Sequence, residues 1–192
     1  MKRILIISCV FPPEPIVSAQ LSLDIASELS KENSVVVLSP KPTRPENFIF
    51  EKPTHKYSFE HIITESYTYP QSIIVGRMRE SFSFGKCCAN YIQENFRKID
   101  VIYLNSWPLL SQYFIVKAAK KYNIPCLTHV QDIYPESIAN KLPVAKSLFY
   151  NLLLPIDKYV IRNSSSILCI SENMKNQLQT IRKVSSERFE VV

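Results

Sequence analysis

The chain has 192 residues, 46% of them hydrophobic and 21% charged, enough to bury one sizeable core and the wrong composition for a collagen, a coiled coil or a long disordered tail. Two glycines, Gly76 and Gly85, stand against thirteen prolines, which excludes the glycine-spaced phosphate loops of dinucleotide-binding and P-loop proteins. Lys and Arg number 23 against 17 Asp and Glu, a net charge of +6. That excess favours anionic partners such as phosphates or lipid head groups without implying nucleic acid.

The five cysteines lack metal-ligand spacing. Cys9, Cys126 and Cys169 fall in or beside strand-like runs and read as reduced core thiols, and the neighbours Cys87 and Cys88 point about 100° apart on a helix, unsuited to a bridge. The start, Met1-Lys2-Arg3 and an apolar run over 4–11, imitates a secretory leader. The run is short and Pro12-Pro13-Glu14 follows at once, so it reads as a first buried strand. No stretch approaches the roughly 18 apolar residues of a membrane span.

In chain order, the β-branched run 4–10 predicts a strand covered on both faces. Residues 19–30 place Ala19, Leu23, Ala26 and Leu29 at helical spacing, with Asp24 and Glu28 outward. The strand signal at 35–38 then completes a βαβ unit, parallel because the connection is too long for a hairpin. Segment 40–53, rich in proline, reads as an irregular loop, and 60–65 as a short strand around Ile62-Ile63. A long helix is expected over 76–97, its start weakened by the serine-rich 80–85. A strand over 101–104 follows, then a helix over 109–122 whose closing Lys120-Lys121 complements the helix dipole. Further strands are expected over 124–130, 166–170 and 189–192, with helices over 144–162 and 172–181. The expectation is an α/β, Rossmann-like, doubly wound and mainly parallel sheet of six to seven strands, one domain over 1–192. A last strand with no turn after it reads either as the end of one lobe of a larger protein or as a docked terminal strand.

Ligands of open α/β sheets bind beyond the carboxyl ends of the strands, so the loops leaving strands hold the candidates. Phe11-Pro12-Pro13-Glu14-Pro15 and Ile16 to Ser18 form a stiff loop feeding a helix N-terminus able to face an anion; alternatively the prolines only end a strand. Asn105-Ser106-Trp107-Pro108 carries the one tryptophan, a stacking floor for a sugar ring or a lid on the core. His129 to Ser137, with Gln131, Asp132, Tyr134 and Glu136, is the densest polar cluster, although Asp132 or Glu136 could equally cap a helix. Ser171-Glu172-Asn173 is good helix-start chemistry whatever else it does. No nucleophile and base stand at a recognisable spacing, so periodicity alone yields a ligand-binding α/β domain.

Residues 2–7 with Phe11-Pro12-Pro13-Glu14, then Asp132-Ile133-Tyr134-Pro135-Glu136-Ser137, then Ser166-Ile167-Leu168-Cys169-Ile170-Ser171-Glu172, together resemble the N-terminal lobe of group 1, family 4 glycosyltransferases over the whole length. The 132–137 segment is similar to the branch that adds amino or deoxy sugars in capsule and O-antigen assembly. The resemblance implies a two-lobed GT-B fold and sugar transfer with retention from a nucleotide-sugar co-substrate, with no metal or other cofactor. It implies a cytoplasmic place at the inner face of the membrane, a saccharide or polyprenyl-diphosphate-linked acceptor and no nucleic acid. On that footing these residues are the acceptor-binding lobe, inactive alone, and the nucleotide-binding lobe lies outside them.

Two departures from the family pattern stand out. Pro15-Ile16-Val17-Ser18-Ala19 lacks the glycine pair of many members, leaving the small Ser18 and Ala19 in its place. Gln131 stands where many carry a histidine, with His129 two residues earlier on the strand. The roles implied are Asp132 and Glu136 as catalytic groups orienting acceptor hydroxyls, Ser18 and nearby amides against the donor phosphates, and Trp107 or Tyr134 stacking on sugar. Glu14, Asn105, Gln131, Ser137, Ser171 and Glu172 complete the substrate-binding set. The rival readings are a non-catalytic acceptor-binding subunit of a split transferase and a two-lobed sugar-nucleotide epimerase. The basic amphipathic stretches 76–97, with Arg77, Arg79 and Lys86, and 142–161 are candidates for an anionic lipid surface, unless their apolar residues face the sheet.

Overall fold

Side chains of β1 (Arg3–Ile7) alternate between two cores, Leu5 and Ile7 entering one and Ile4 and Ile6 the other. A strand apolar on both sides must be covered on both sides, and burying each such side chain is worth about 1.5–3 kcal/mol. The computed structural model describes residues 1–50, 56–71, 73–105, 108–136 and 146–192. In it β1 is flanked by β2 (Ser34–Pro40) and β4 (Val101–Asn105), with β3 (Glu60–Thr64) outside β2. On the other side lie β5 (Cys126–Val130), β6 (Ser166–Cys169) and β7 (Phe189–Val191). All seven strands run parallel in the order β3-β2-β1-β4-β5-β6-β7. The sequence therefore folds as the expected Rossmann-like, doubly wound α/β unit, at the upper end of the predicted strand count.

Helix α1 (Val17–Leu29) packs Ala26 against Ile4, Ile6, Val35 and Val37. The opposite core takes Phe84, Cys88 and Ile92 of α2 (Ile74–Asn95), Ile115, Val116 and Ala119 of α3 (Leu109–Lys121), and Leu153 and Val160 of α4 (Lys146–Asn163). Leu178 of α5 (Glu172–Arg182) closes a third cluster with Val130, Ile161, Ile167, Cys169 and Phe189. All five cysteines are free, and only Cys87 is not fully buried.

The serine-rich start of α2, expected to weaken that helix, is its contact seam. A Cβ on Gly85 would stand 2.5 Å from the Cα of Ser111, and the Ser111 N–H donates to Ser81 Oγ at 2.9 Å. Small residues are what let α2 and α3 approach this closely. Among the described residues of the stretches 76–97 and 142–161, Phe84, Ile92, Leu153 and Val160 pack into the core, while Phe82, Leu148 and Leu152 are exposed.

Strand β1 ends at Ile7, short of the run over 4–10 that the sequence suggests. Ser8 still donates its N–H to Leu38 at 3.1 Å, but its hydroxyl turns back to donate to the Val10 carbonyl at 2.7 Å. The chain thus leaves the sheet and enters the loop that leads to α1 and Ser18.

Candidate active site

The carboxyl ends of β1, β4 and β5 open into a cavity of about 680 Å3. Most of the lining comes from four parts of the chain: Cys9, Val10, Ile16 and Ser18 from the first loop and α1, Asn105 with Pro108, Leu109 and Leu110 around the β4 exit, Gln131, Asp132 and Tyr134 after β5, and Ile74, Arg77, Met78 and Ser81 of α2. Arg44 and Leu153 complete the wall.

A buried polar chain fixes the floor. Asn105 Nδ2 donates to Ser22 Oγ at 3.0 Å, Ser22 Oγ donates to the Ser18 carbonyl at 2.9 Å, and the Ser8 and Ser22 hydroxyls lie 2.9 Å apart. Hydroxyls and an amide placed in a core need such mutual satisfaction, and here it ties β1, α1 and β4 together at the point where Ser18 meets the cavity.

Five of the residues singled out from sequence share this cavity: Ser18, Asn105, Gln131, Asp132 and Tyr134. Asp132 is solvent-exposed, and its Oδ1 accepts the N–H of Ile133 at 2.9 Å. Glu14 is 5% exposed and lies behind the wall. Its Oε1 accepts the N–H groups of Thr43 at 2.7 Å and Arg44 at 3.0 Å. Burial pushes the Glu14 carboxyl up, and those two amides work against the shift.

Glu136, expected to orient an acceptor hydroxyl, is not among the residues lining the cavity. Its two oxygens accept from Arg182 at 2.9 and 2.8 Å. Arg182, 0% exposed, also bonds the Tyr134 carbonyl and the Asp157 carboxylate. One guanidinium fork thus ties the end of α5 to α4 and to the loop that presents Asp132. Ser171 acts as the N-cap of α5, accepting the Met174 N–H at 3.2 Å, and Glu172 pairs with Lys175 at 3.6 Å. Neither lines the cavity. Trp107 and Ser137 lie outside the described residues.

His129 is absent from the lining. Its Nδ1 lies 2.5 Å from the Tyr103 hydroxyl, and burial lowers its pKa. Sequence reasoning missed Ser8 and Ser22 beneath the cavity and Arg44 on its wall with Glu80 behind it, and it read Arg77, which lines the cavity, only as part of a lipid-facing stretch. Ser8 interrupts an otherwise apolar run, a signal that was legible. Arg44 sits in a proline-rich segment with no periodicity to place it.

The Asp157 carboxyl is pushed up to about 6 by burial, which Arg182 only partly offsets. The folded chain therefore holds a proton there that the unfolded chain releases at ordinary carboxylate pH. Asp157's contribution to stability is present below the unfolded value and is lost as pH rises through about 6. Urea titrations at about pH 5 and about pH 7 are expected to show wild type losing stability relative to Asp157→Asn at the higher pH. A constant gap between the two proteins contradicts this assignment.

Among the described residues no group of three or more His, Cys, Asp or Glu could hold a metal ion, and no helix is long and apolar enough to cross a membrane. The cavity lies at the carboxyl ends of the central parallel strands, where open α/β sheets take their ligands. Residues 19–192 match the family Glycosyltransferase Family 4, and the chain belongs to it.

No curated protein sequence matches the chain. Among solved structures it is similar to Anabaena Alr3699/HepE in complex with UDP-glucose, at 14% identity and a TM-score of 0.60, covering 100% of this chain and 43% of that one. It is also similar to Arabidopsis thaliana UGT89C1 complexed with UDP-L-rhamnose, at 16% identity and a TM-score of 0.58, covering 99% and 51%. A third likeness is to the UDP-GlcNAc 2-epimerase of Methanocaldococcus jannaschii, at 15% and 0.56, covering 100% and 45%. The chain thus spans about half the length of the structures it matches. These likenesses establish the fold, which transferases and an epimerase share.

Proposed function

We propose that this chain is the acceptor-binding half of a retaining glycosyltransferase, which moves a sugar from a nucleotide-sugar donor to a saccharide in capsular polysaccharide or O-antigen assembly. The observation that carries the proposal is the convergence of Ser18, Asn105, Gln131 and Asp132 on one cavity at the carboxyl ends of β1, β4 and β5, in a member of family 4. Such a reaction needs an acceptor hydroxyl held beside the anomeric carbon and donors aimed at the leaving diphosphate. Asp132, exposed at the cavity, accepts from the acceptor hydroxyl and fixes its direction. Ser18, in the first turn of α1, presents its hydroxyl and neighbouring amides to the phosphates, where the helix dipole favours negative charge.

The resemblance that suggests a lipid-linked acceptor also suggests work at an anionic membrane surface. Val17, Ile73, Val75 and Leu152 support that reading, each being exposed and next in sequence to a residue of the cavity wall.

Transfer is tested in the protein as its gene encodes it, with labelled UDP-glucose and UDP-L-rhamnose as donors and saccharide-bearing cell lipids as acceptors. Asp132→Asn, which keeps the shape of the side chain and removes its charge, is expected to lower kcat/KM for the acceptor roughly a hundredfold, the scale of one lost charge-assisted contact in the transition state. Near-normal kcat/KM in that variant removes Asp132 from the reaction.

A further inference from the structure

The stretch 131–136 contributes Gln131, Asp132 and Tyr134 to the cavity wall, yet from Gln131 to Pro135 it is neither strand nor helix. A stretch without a ladder of its own is held by side chains that reach it from other elements. Arg182, the last residue of α5, is the largest fully buried side chain among the described residues, and it reaches this stretch twice. Its fork holds both Glu136 oxygens, at 2.9 and 2.8 Å, and bonds the Tyr134 carbonyl. Tyr150 of α4 donates its hydroxyl to Glu136 Oε1 at 3.4 Å. The arginine is fixed in turn: its Nε bonds Asp157 of α4, and its own carbonyl accepts the Arg162 Nε–H at 3.2 Å. Arg188 donates to the carbonyls of Ile161 and Arg162 at 3.1 and 3.0 Å, so the ends of α4 and α5 form one hydrogen-bonded block that carries the Arg182 fork.

Stability alone does not account for a fork at this place, because apolar residues of similar volume often replace a buried ion pair without loss. A planar guanidinium that meets a carboxylate with two parallel bonds adds direction, fixing where its partners lie. We propose that Arg182 and Glu136 are positioning residues, which set the 131–136 stretch so that Asp132 meets the acceptor hydroxyl at the cavity. The two acids of the stretch then divide the work. Asp132, exposed at the cavity, touches the ligand, and Glu136, paired with the buried cation, acts through it. The proposal rests on the acceptor-cavity reading and adds the residues that give the site its geometry.

The test is a double-mutant cycle on affinity. Methyl glycosides of glucose, galactose, N-acetylglucosamine and rhamnose are titrated into the chain, and Kd is read from the amide shifts of folded molecules, which a change in the folded fraction does not move. For the glycoside bound best, Glu136→Gln is expected to raise Kd roughly fivefold, since its amide turns a donor toward the fork and one of the two bonds is lost. Arg182→Lys, which keeps the charge without the planar fork, is expected to do the same. In an Asp132→Asn background both changes are expected to shift Kd by less than about twofold, because a residue that acts through Asp132 has nothing left to orient. A clamp that serves stability only raises Kd by the same factor in both backgrounds or in neither, and either result overturns the proposal while the acceptor reading stands. Glu136→Gln is nearly isosteric, so the cycle does not depend on how Arg182→Lys folds. If no glycoside moves the cavity amides of wild type, the acceptor reading falls and the positioning role with it.

Discussion

Replacing Arg182 with methionine is expected to destabilise the protein by about 3–5 kcal/mol, the cost of removing one partner from a buried ion pair. In a domain of this size that lowers the melting temperature by roughly 10 °C. The reasoning starts from burial: Arg182 is 0% exposed and is the shared donor to Glu136, Asp157 and the Tyr134 carbonyl. Methionine fills much of the volume but leaves two carboxylates and a carbonyl facing an apolar side chain. Asp157, already pushed toward its neutral form, escapes part of the penalty by taking up a proton, and Glu136, with 23% of its side chain exposed, by recovering some hydration. Lysine keeps the charge without the planar fork and cannot serve acceptors on α4 and the 131–136 loop together, so Arg182→Lys is expected to recover only part of the loss. Adding Glu136→Gln and Asp157→Asn to Arg182→Met is expected to restore more stability than lysine does, because a matched removal leaves no orphaned charge. A loss below about 1 kcal/mol for Arg182→Met contradicts the clamp.

Glu80→Leu carries the second large effect, about 2–4 kcal/mol, by the same physics with the signs exchanged. Its carboxylate stands behind Arg44 and Arg77 at 2.6 and 2.9 Å, with side-chain exposures of 11% and 16% for the two arginines. Arg77 is the more accessible and recovers some hydration. Arg44 is more enclosed, and the segment that bears it loses its tie to α2. Glu80→Gln keeps an acceptor for the Tyr69 N–H and is expected to cost about half as much. Denaturant unfolding of the two variants separates charge from shape. Equal stability of Glu80→Leu and wild type means the arginines do not depend on the carboxylate.

Both effects lie in contacts that a linear reading does not reach. The strands were legible because β1, β2 and β4 are continuous β-branched runs, and the helices because apolar residues recur at helical spacing in 19–30 and 109–122. The same rules explain the misjudged start of α2: Ser81 and Gly85 lower helix propensity locally, yet they form the seam with α3, and tertiary packing outweighs propensity there. Five site residues were readable from their place after strand ends. The partners that set Glu136 and Arg44 were not, since Arg182 is 46 residues from Glu136 and Glu80 is 36 from Arg44. Glu136 looked like Asp132, an acid in a loop beyond a strand. What distinguishes them is that a buried cation stands beneath one and open cavity beside the other.

The central claim is that a sugar hydroxyl is received at the carboxyl ends of β1, β4 and β5. Backbone amide shifts of the chain, recorded while methyl glycosides of glucose, galactose, N-acetylglucosamine and rhamnose are titrated in, test it most directly. The account predicts movement concentrated at Val10 to Ser18, Asn105, Leu109 and Leu110, and Gln131 to Tyr134, and weakened by Asp132→Asn. Shifts gathered instead at the opposite end of the sheet, around Arg3 and Asp100, contradict it.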